Sequence, residues 1–150
     1  MAGCILKRSV MTKKIVLVGG CFDLLHYGHI SFLKQAKSSG DYLVVALESD
    51  ENVRRMKGDT RPIHIQKERK EMLEALSFVD EVIALPPMAG DRDYYEFVRA
   101  MRPAVIALTE GDPQKGKKSQ QAKEIGATLI EIPKIRTPST SQLAKLLGLE

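Results

Sequence analysis

A short run rich in β-branched residues, Lys14 to Val18, meets two glycines, Gly19 and Gly20, and then passes into helical spacing at Ile30, Phe32, Leu33 and Ala36. A buried-strand pattern that turns on glycine into an amphipathic helix is the opening of a βαβ unit. In an open α/β sheet such a turn lies at the carboxyl end of a parallel strand, where ligands bind.

The same alternation continues along the chain. Tyr42 to Leu47 reads as a second strand, Gln66 to Phe78 as a helix and Val79 to Leu85 as a third strand. Asp91 to Met101 reads as a helix closed by Pro103, and Ala104 to Leu108 as a fourth strand. Lys117 to Ile125 is a helix ended by Gly126, Thr128 to Ile132 a fifth strand, and the last helix begins near Ser139. Regular alternation of this kind predicts a Rossmann-like, doubly wound α/β fold, a sheet of about five parallel strands with helices on both faces. The segment from Glu48 to Pro62 reads as a basic, glycine-containing loop.

The first strand-to-helix turn has the chemistry of an anion site. Without a Cβ, Gly19 and Gly20 let a ligand approach the main chain closely. The helix starting near His26 to Gly28 aims unpaired amides and its positive dipole end at the same place. His26 and His29 stand three apart on one helix face, so both imidazoles can donate to phosphate oxygens as charge develops. Gly28 between them is expected to leave room for a base or ribose. The plainer reading makes both histidines caps, and a third makes Cys21, His26 and His29 metal ligands. No companion Cys and His cluster occurs elsewhere, so no protein metal site is expected.

The continuous run Gly20, Cys21, Phe22, Asp23, Leu24, Leu25, His26, Tyr27, Gly28, His29 resembles the G-x-F-D-x-x-H-x-G-H signature of the cytidylyltransferase-like nucleotidyltransferase superfamily. The resemblance implies that His26 and His29 contact the nucleotide phosphates and stabilise the transition state, with Gly19, Gly20, Cys21, Phe22, Asp23 and Gly28 around the nucleotide. Class I aminoacyl-tRNA synthetases have a related histidine motif, but this chain is too short for one. Lys57 is expected to join the catalytic set by contacting a triphosphate. The stretch Lys57 to Pro62 is similar to the K-G-x-x-R-P segment of heptose-phosphate adenylyltransferases, which places Arg61 at the substrate.

Other parts of the chain follow the family less closely. Arg69 fits the arginine of an E-x-R element and is expected at the substrate, although Lys67 stands where the glutamate would be and Glu68 is the nearest replacement. Glycerol-3-phosphate cytidylyltransferases carry an arginine where this chain has Ser77. Gly111 and Asp112 resemble a G-D element near the nucleotide, preceded here by Thr109 and Glu110 in place of a lysine and a glycine. Arg136, Thr137, Pro138, Ser139, Thr140 and Ser141 match the hydroxyl-rich segment that relatives set against the triphosphate, and Arg136, Ser139, Thr140 and Ser141 are assigned to it. Ser139 is also a natural helix N-cap.

The resemblance implies transfer of a nucleoside monophosphate from a nucleoside triphosphate to a phosphorylated acceptor, releasing pyrophosphate. ATP with a sugar phosphate, heptose 1-phosphate foremost, is favoured. CTP with glycerol 3-phosphate, adenylyl transfer to FMN as in short archaeal FAD synthases, and a non-catalytic nucleotide-binding regulatory module are the alternatives. Mg2+ is expected to arrive with the nucleotide, near Asp23.

At 150 residues and 43% hydrophobic content, one compact domain suffices. Residues 1–12 read as an N-terminal extension and 13–150 as the transferase domain. Two cysteines, Cys4 and Cys21, suggest free thiols in a reducing cytoplasm, and no signal peptide or membrane span is legible. The formal charge of +4 is dispersed among acids and aromatic content is only 5%, so a nucleic-acid partner is not expected. Lys115, Lys117 and Lys118 read as a solvated face. Relatives are commonly dimers, and the sequence is compatible with a homodimer without fixing the oligomeric state.

Overall fold

The computed structural model describes Val10 and residues 12–149. The elements are β1 (Ile15–Gly20), α1 (Tyr27–Lys37), β2 (Tyr42–Leu47), α2 (Asp50–Lys57), α3 (Gln66–Glu74), β3 (Glu81–Ala84), α4 (Asp91–Met101), β4 (Val105–Thr109), α5 (Lys115–Ile125), β5 (Thr128–Ile132) and α6 (Thr140–Leu146). All the strand pairs are parallel and the sheet order is β3-β2-β1-β4-β5. This is the doubly wound sheet that the alternation predicts, with its topological switch between β1 and β4.

Strand side chains alternate between two cores. Val16 and Val18 of β1, with Leu43, Val45 and Leu47 of β2, pack against Leu33 and Ala36 of α1 and Leu73 of α3. Ile15, Leu17, Val44 and Ala46 pack on the other face against Phe97, Val98 and Met101 of α4 and Ala122 of α5. Burial on both faces is why these strands read as nearly continuous apolar runs. Val10 is 7% exposed and belongs to the second core, so the folded unit begins ahead of the expected boundary at residue 13. The rest of that extension, Thr12 aside, lies outside the described residues, as does Cys4.

Two local expectations change. The expected loop after β2 contains helix α2, which Ser49 caps by accepting from the Asn52 amide. Asp50 and Glu51 occupy its first turn and Arg54, Arg55 and Lys57 its last, the charge order that a helix dipole favours. Gly19 and Gly20 lie inside β1, in register with Ala46 and Leu47, and the turn itself is 21–26. Its positive φ values fall on Phe22 (45°) and Leu24 (50°), not on the glycines.

The ladder between β1 and β4 is short. Only Val16 with Val105 and Leu17 with Ile106 are in register, whereas β1 and β2 pair over six positions. Past Leu17 the two central strands separate, and the switch point opens at its carboxyl end.

A tight approach elsewhere fixes the α1 to β2 turn. A Cβ on Gly40 would stand 2.6 Å from the Lys14 carbonyl oxygen and 2.7 Å from a Val16 methyl. Gly40→Ala is therefore expected to destabilise the fold by about 1–3 kcal/mol, the usual scale of overpacking, read as a lower urea midpoint. An unchanged midpoint would contradict this contact.

Candidate active site

A cleft of about 290 Å³ lies where β1 and β4 part, between Gly19 and Gly20 on one side and Ala107, Leu108 and Thr109 on the other. His26, Gly28 and His29 line it together with Thr137 and Ser139. The backbone of β1 reaches the cleft without side chains because both of its last residues are glycine.

The two histidines are held in one arrangement. His26 is the N-cap of α1, and its Nδ1 accepts from the Gly28 amide at 3.0 Å. The Nδ1 of His29 accepts from the His26 amide at 3.3 Å, completing a reciprocal capping pair. The rings stack with centroids 3.9 Å apart. Since both Nδ1 atoms accept from N–H groups, each neutral ring carries its proton on Nε2, leaving two N–H donors unused by the cap. The capping reading and the phosphate reading of these residues are therefore compatible.

Burial pushes the His26 ring below the ordinary histidine value. His29 falls further, to about 4, through burial first and then the nearby His26 and Lys57. Both rings are thus neutral donors at neutral pH in the free protein.

Gly28 lines the cleft, and a side chain there would be crowded. A Cβ there would meet His26 Cε1 at 2.7 Å, His26 Nδ1 at 2.9 Å and a Thr137 methyl at 3.0 Å. The missing side chain makes room for the His26 ring itself.

Phe22 and Asp23 shape the turn. Phe22 is buried and its ring lies 5.4 Å from that of His29. Asp23 is 2% exposed and accepts from Arg61 Nε at 2.7 Å, from the Ile63 amide at 2.8 Å and from the His64 amide at 3.1 Å. Burial alone would raise this carboxyl, but those two amides and the guanidinium outweigh it and hold it below the ordinary range. Cys21 lines the cleft with its thiol pushed up by burial and by Glu48, so it is a wall and not a ready nucleophile.

The arginines expected at substrate are framework residues here. Arg61 is 2% exposed and engaged with Asp23. Arg69 is 1% exposed and donates to the carbonyls of His64 and Cys21 and to Asp50 Oδ1 at 2.7 Å. Asp50 supplies the carboxylate missing at Lys67. Glu68 instead accepts from the Ile65 amide at the start of α3.

The remaining expected residues divide. Asp112 lines the cleft, and Gly111 makes its turn at φ 79°. Ser139 lines the cleft and caps α6, while Thr140 donates its hydroxyl to the Leu24 carbonyl and ties α6 to the turn. Arg136 and Ser141 are exposed and do not line the cleft. Lys57, the last residue of α2, is also outside the lining, but its charge reaches both His29 and Cys21 from the rim.

Lys118 is the residue that the sequence reading missed. Lys115 and Lys117 do face solvent, paired with Glu131 and Asp91. Lys118 turns inward, meets Asp112 at 2.7 Å and lines the cleft. The 100° step between neighbouring helical residues was the available signal. Among the described residues, no group of three or more His, Cys, Asp and Glu side chains is placed to hold a metal ion.

The profile of the family described as cytidylyltransferase-like matches residues 17–130. A bifunctional protein HldE of Wolinella succinogenes is 42% identical over 136 residues, covering 89% of this chain and 27% of that protein. The chain thus spans about a quarter of the HldE protein's length. An FAD synthase of Thermococcus sibiricus is 41% identical over 143 residues, covering 91% of this chain and 94% of the relative. Among solved structures, the lipopolysaccharide core biosynthesis protein of Thermoplasma volcanium GSS1 superposes with a TM-score of 0.65 at 27% identity, covering 83% of this chain and 98% of that one.

Two outcomes are expected of the site. The native state, holding His29 neutral, binds fewer protons than the unfolded chain between about pH 6.5 and 4. His29 thus contributes stability that is complete above pH 6.5 and is lost as pH falls through that window. The urea midpoint should drop between pH 7 and pH 5, and the His29 ring signals should titrate near 4; titration at 6.5 would contradict the burial described. Separately, Gly28→Ala should displace the His26 ring, seen as loss of the His26–His29 ring-proton contacts by NMR while far-UV circular dichroism is retained. Unchanged ring contacts would show that the space at Gly28 is not what seats His26.

Proposed function

This chain belongs to the cytidylyltransferase-like family of nucleotidyltransferases, and we propose that it transfers the adenylyl group of ATP to a phosphorylated, hydroxyl-bearing small molecule, releasing pyrophosphate. The observation that carries this reading is the stacked His26–His29 pair, whose capped Nδ1 atoms leave two Nε2–H donors beside a cleft walled by bare glycine backbone.

In the proposed reaction an acceptor phosphate oxygen attacks the α-phosphorus. The bond from that phosphorus to the oxygen bridging to the β-phosphate breaks, and pyrophosphate departs with the electron pair. No covalent enzyme intermediate is needed. His26 and His29 donate to the oxygens on which charge accumulates, Lys57 and Lys118 add positive potential, and the cleft aligns the reactants. Magnesium belongs to the nucleotide as substrate and neutralises its phosphates. Among the described residues Asp23, the carboxylate nearest the turn, is engaged by Arg61 and two amides and is not offered to a metal ion.

A sugar phosphate is the favoured acceptor, from the Lys57 to Pro62 resemblance to heptose-phosphate adenylyltransferases. FMN is the second reading, supported by the near full-length match to the Thermococcus FAD synthase. A cytoplasmic location and a homodimer remain part of the proposal.

Pyrophosphate release with ATP or CTP against heptose 1-phosphate, glycerol 3-phosphate and FMN tests it. ATP with one hydroxyl-bearing acceptor should give turnover, and His26→Ala and His29→Ala should each lower kcat by about 10²–10³-fold. Nucleotide binding without release for every pair would favour the regulatory-module reading, and near wild-type rates in either mutant would overturn the roles given to the histidines.

A further inference from the structure

Glu48 is a buried carboxylate to which none of the steps above gives a role. It follows β2 directly and is 9% exposed. Its amide donates to the Gly20 carbonyl at 3.0 Å, which places it beside Cys21 at the carboxyl edge of the sheet. Strand alternation sets it on the face of Val44 and Ala46, the face that α4 and α5 cover. Gly19 lies on that face too, in register with Ala46 and without a side chain. The cleft therefore reaches from Gly19 toward Lys118 with no side chain from β1 in the way; Glu48 stands just behind its lining, where its charge reaches Cys21 and meets that of Lys118, two residues that do line it.

The carboxylate is held from behind. The Tyr94 hydroxyl of α4 stands 2.9 Å from each Glu48 oxygen. Asn52 donates to that same hydroxyl at 2.9 Å and is itself fixed by Ser49 and by the backbone of Met88. With Asn52 donating to the phenol oxygen, the single phenol proton points at the carboxylate. Burial and the facing carboxylate push Tyr94 up to about 12, so it stays a donor across the working range. One proton shared by two oxygens leaves acceptor capacity on Glu48 unfilled. Arg55, Lys118 and Arg69 supply positive charge around it, opposing the burial that raises its pKa.

We propose that Glu48 is the specificity-determining residue of the acceptor subsite, where it accepts a hydrogen bond from a hydroxyl of the acceptor while the acceptor phosphate lies toward Lys118 and the histidines. The inference rests on the transferase reading above and names the acceptor chemistry as a polyol phosphate. Sugar phosphates and the ribityl phosphate of FMN share that chemistry. A second phosphate or carboxylate at this point is repelled, because an anion there would face a buried carboxylate.

The test uses pyrophosphate release with saturating ATP. The wild-type protein is assayed with heptose 1-phosphate, its monodeoxy analogues, and FMN, which also separates the two sources of the polyol. At least one deoxy analogue of the accepted sugar phosphate, or FMN truncated in its ribityl hydroxyls, should show an acceptor KM raised about tenfold. Glu48→Gln should raise the KM of the parent acceptor by a similar factor, with a smaller effect on kcat, and should erase discrimination against the deoxy compound. Tyr94→Phe removes only the positioning hydroxyl and should move acceptor KM in the same direction, leaving the KM for ATP in place. Release of pyrophosphate with equal acceptor KM for parent and deoxy compounds in wild-type protein overturns this inference while leaving the transferase reading standing. Absence of release from any acceptor overturns both.

Discussion

The Asp23 carboxylate organises the working end of this molecule. It lies between Phe22 and Leu24, two non-glycine residues with positive φ, a conformation that costs about 1–3 kcal/mol per residue and persists only where surroundings enforce it. Three hydrogen bonds from Arg61, Ile63 and His64 provide that enforcement. The same bonds fasten the segment after α2 across the turn, and Arg69 adds a second fastening through the Cys21 carbonyl. Removing one partner of a buried ion pair such as Asp23–Arg61 destabilises by about 3–5 kcal/mol, because the other charge is left alone. Residues that look like substrate-binding charges thus act one layer behind the cleft.

On that turn the two histidines cap their own helix. The cap consumes Nδ1 on each ring and so determines which nitrogen keeps the proton. Burial keeps both rings neutral before any phosphate arrives. The sheet completes the site by opening, since β1 and β4 share a ladder only through Leu17 and Ile106. Pairing that continued to the strand ends would bring the β4 backbone against Gly19 and Gly20 and leave no cleft between them.

The sheet was legible because its strands are buried on both faces and read as apolar runs bounded by glycine, proline and acidic residues. The glycine and histidine turn was legible as a contiguous motif. Helix α2 was obscured by its charge, although Ser49 and the acidic-to-basic order marked its ends. The fates of Arg61, Arg69 and Lys118 depend on contacts between segments far apart in sequence, and a lone sequence gives an inward and an outward cation the same letter. What crowds a side chain at Gly28 was hidden for a related reason: the nearest atoms belong to the His26 ring, two residues away, and to Thr137, far along the chain.

In the proposed reaction the His26 and His29 Nε2–H groups meet the α-phosphate of a nucleotide lodged where β1 and β4 separate. A crystal structure with a non-hydrolysable ATP analogue and magnesium tests it directly. An α-phosphate oxygen is expected within about 3 Å of at least one of the two Nε2 atoms, with the nucleotide between the Gly19–Gly20 backbone and Thr109. Phosphates bound away from both rings, or a His26 or His29 ring turned so that Nε2 faces the protein, would contradict it.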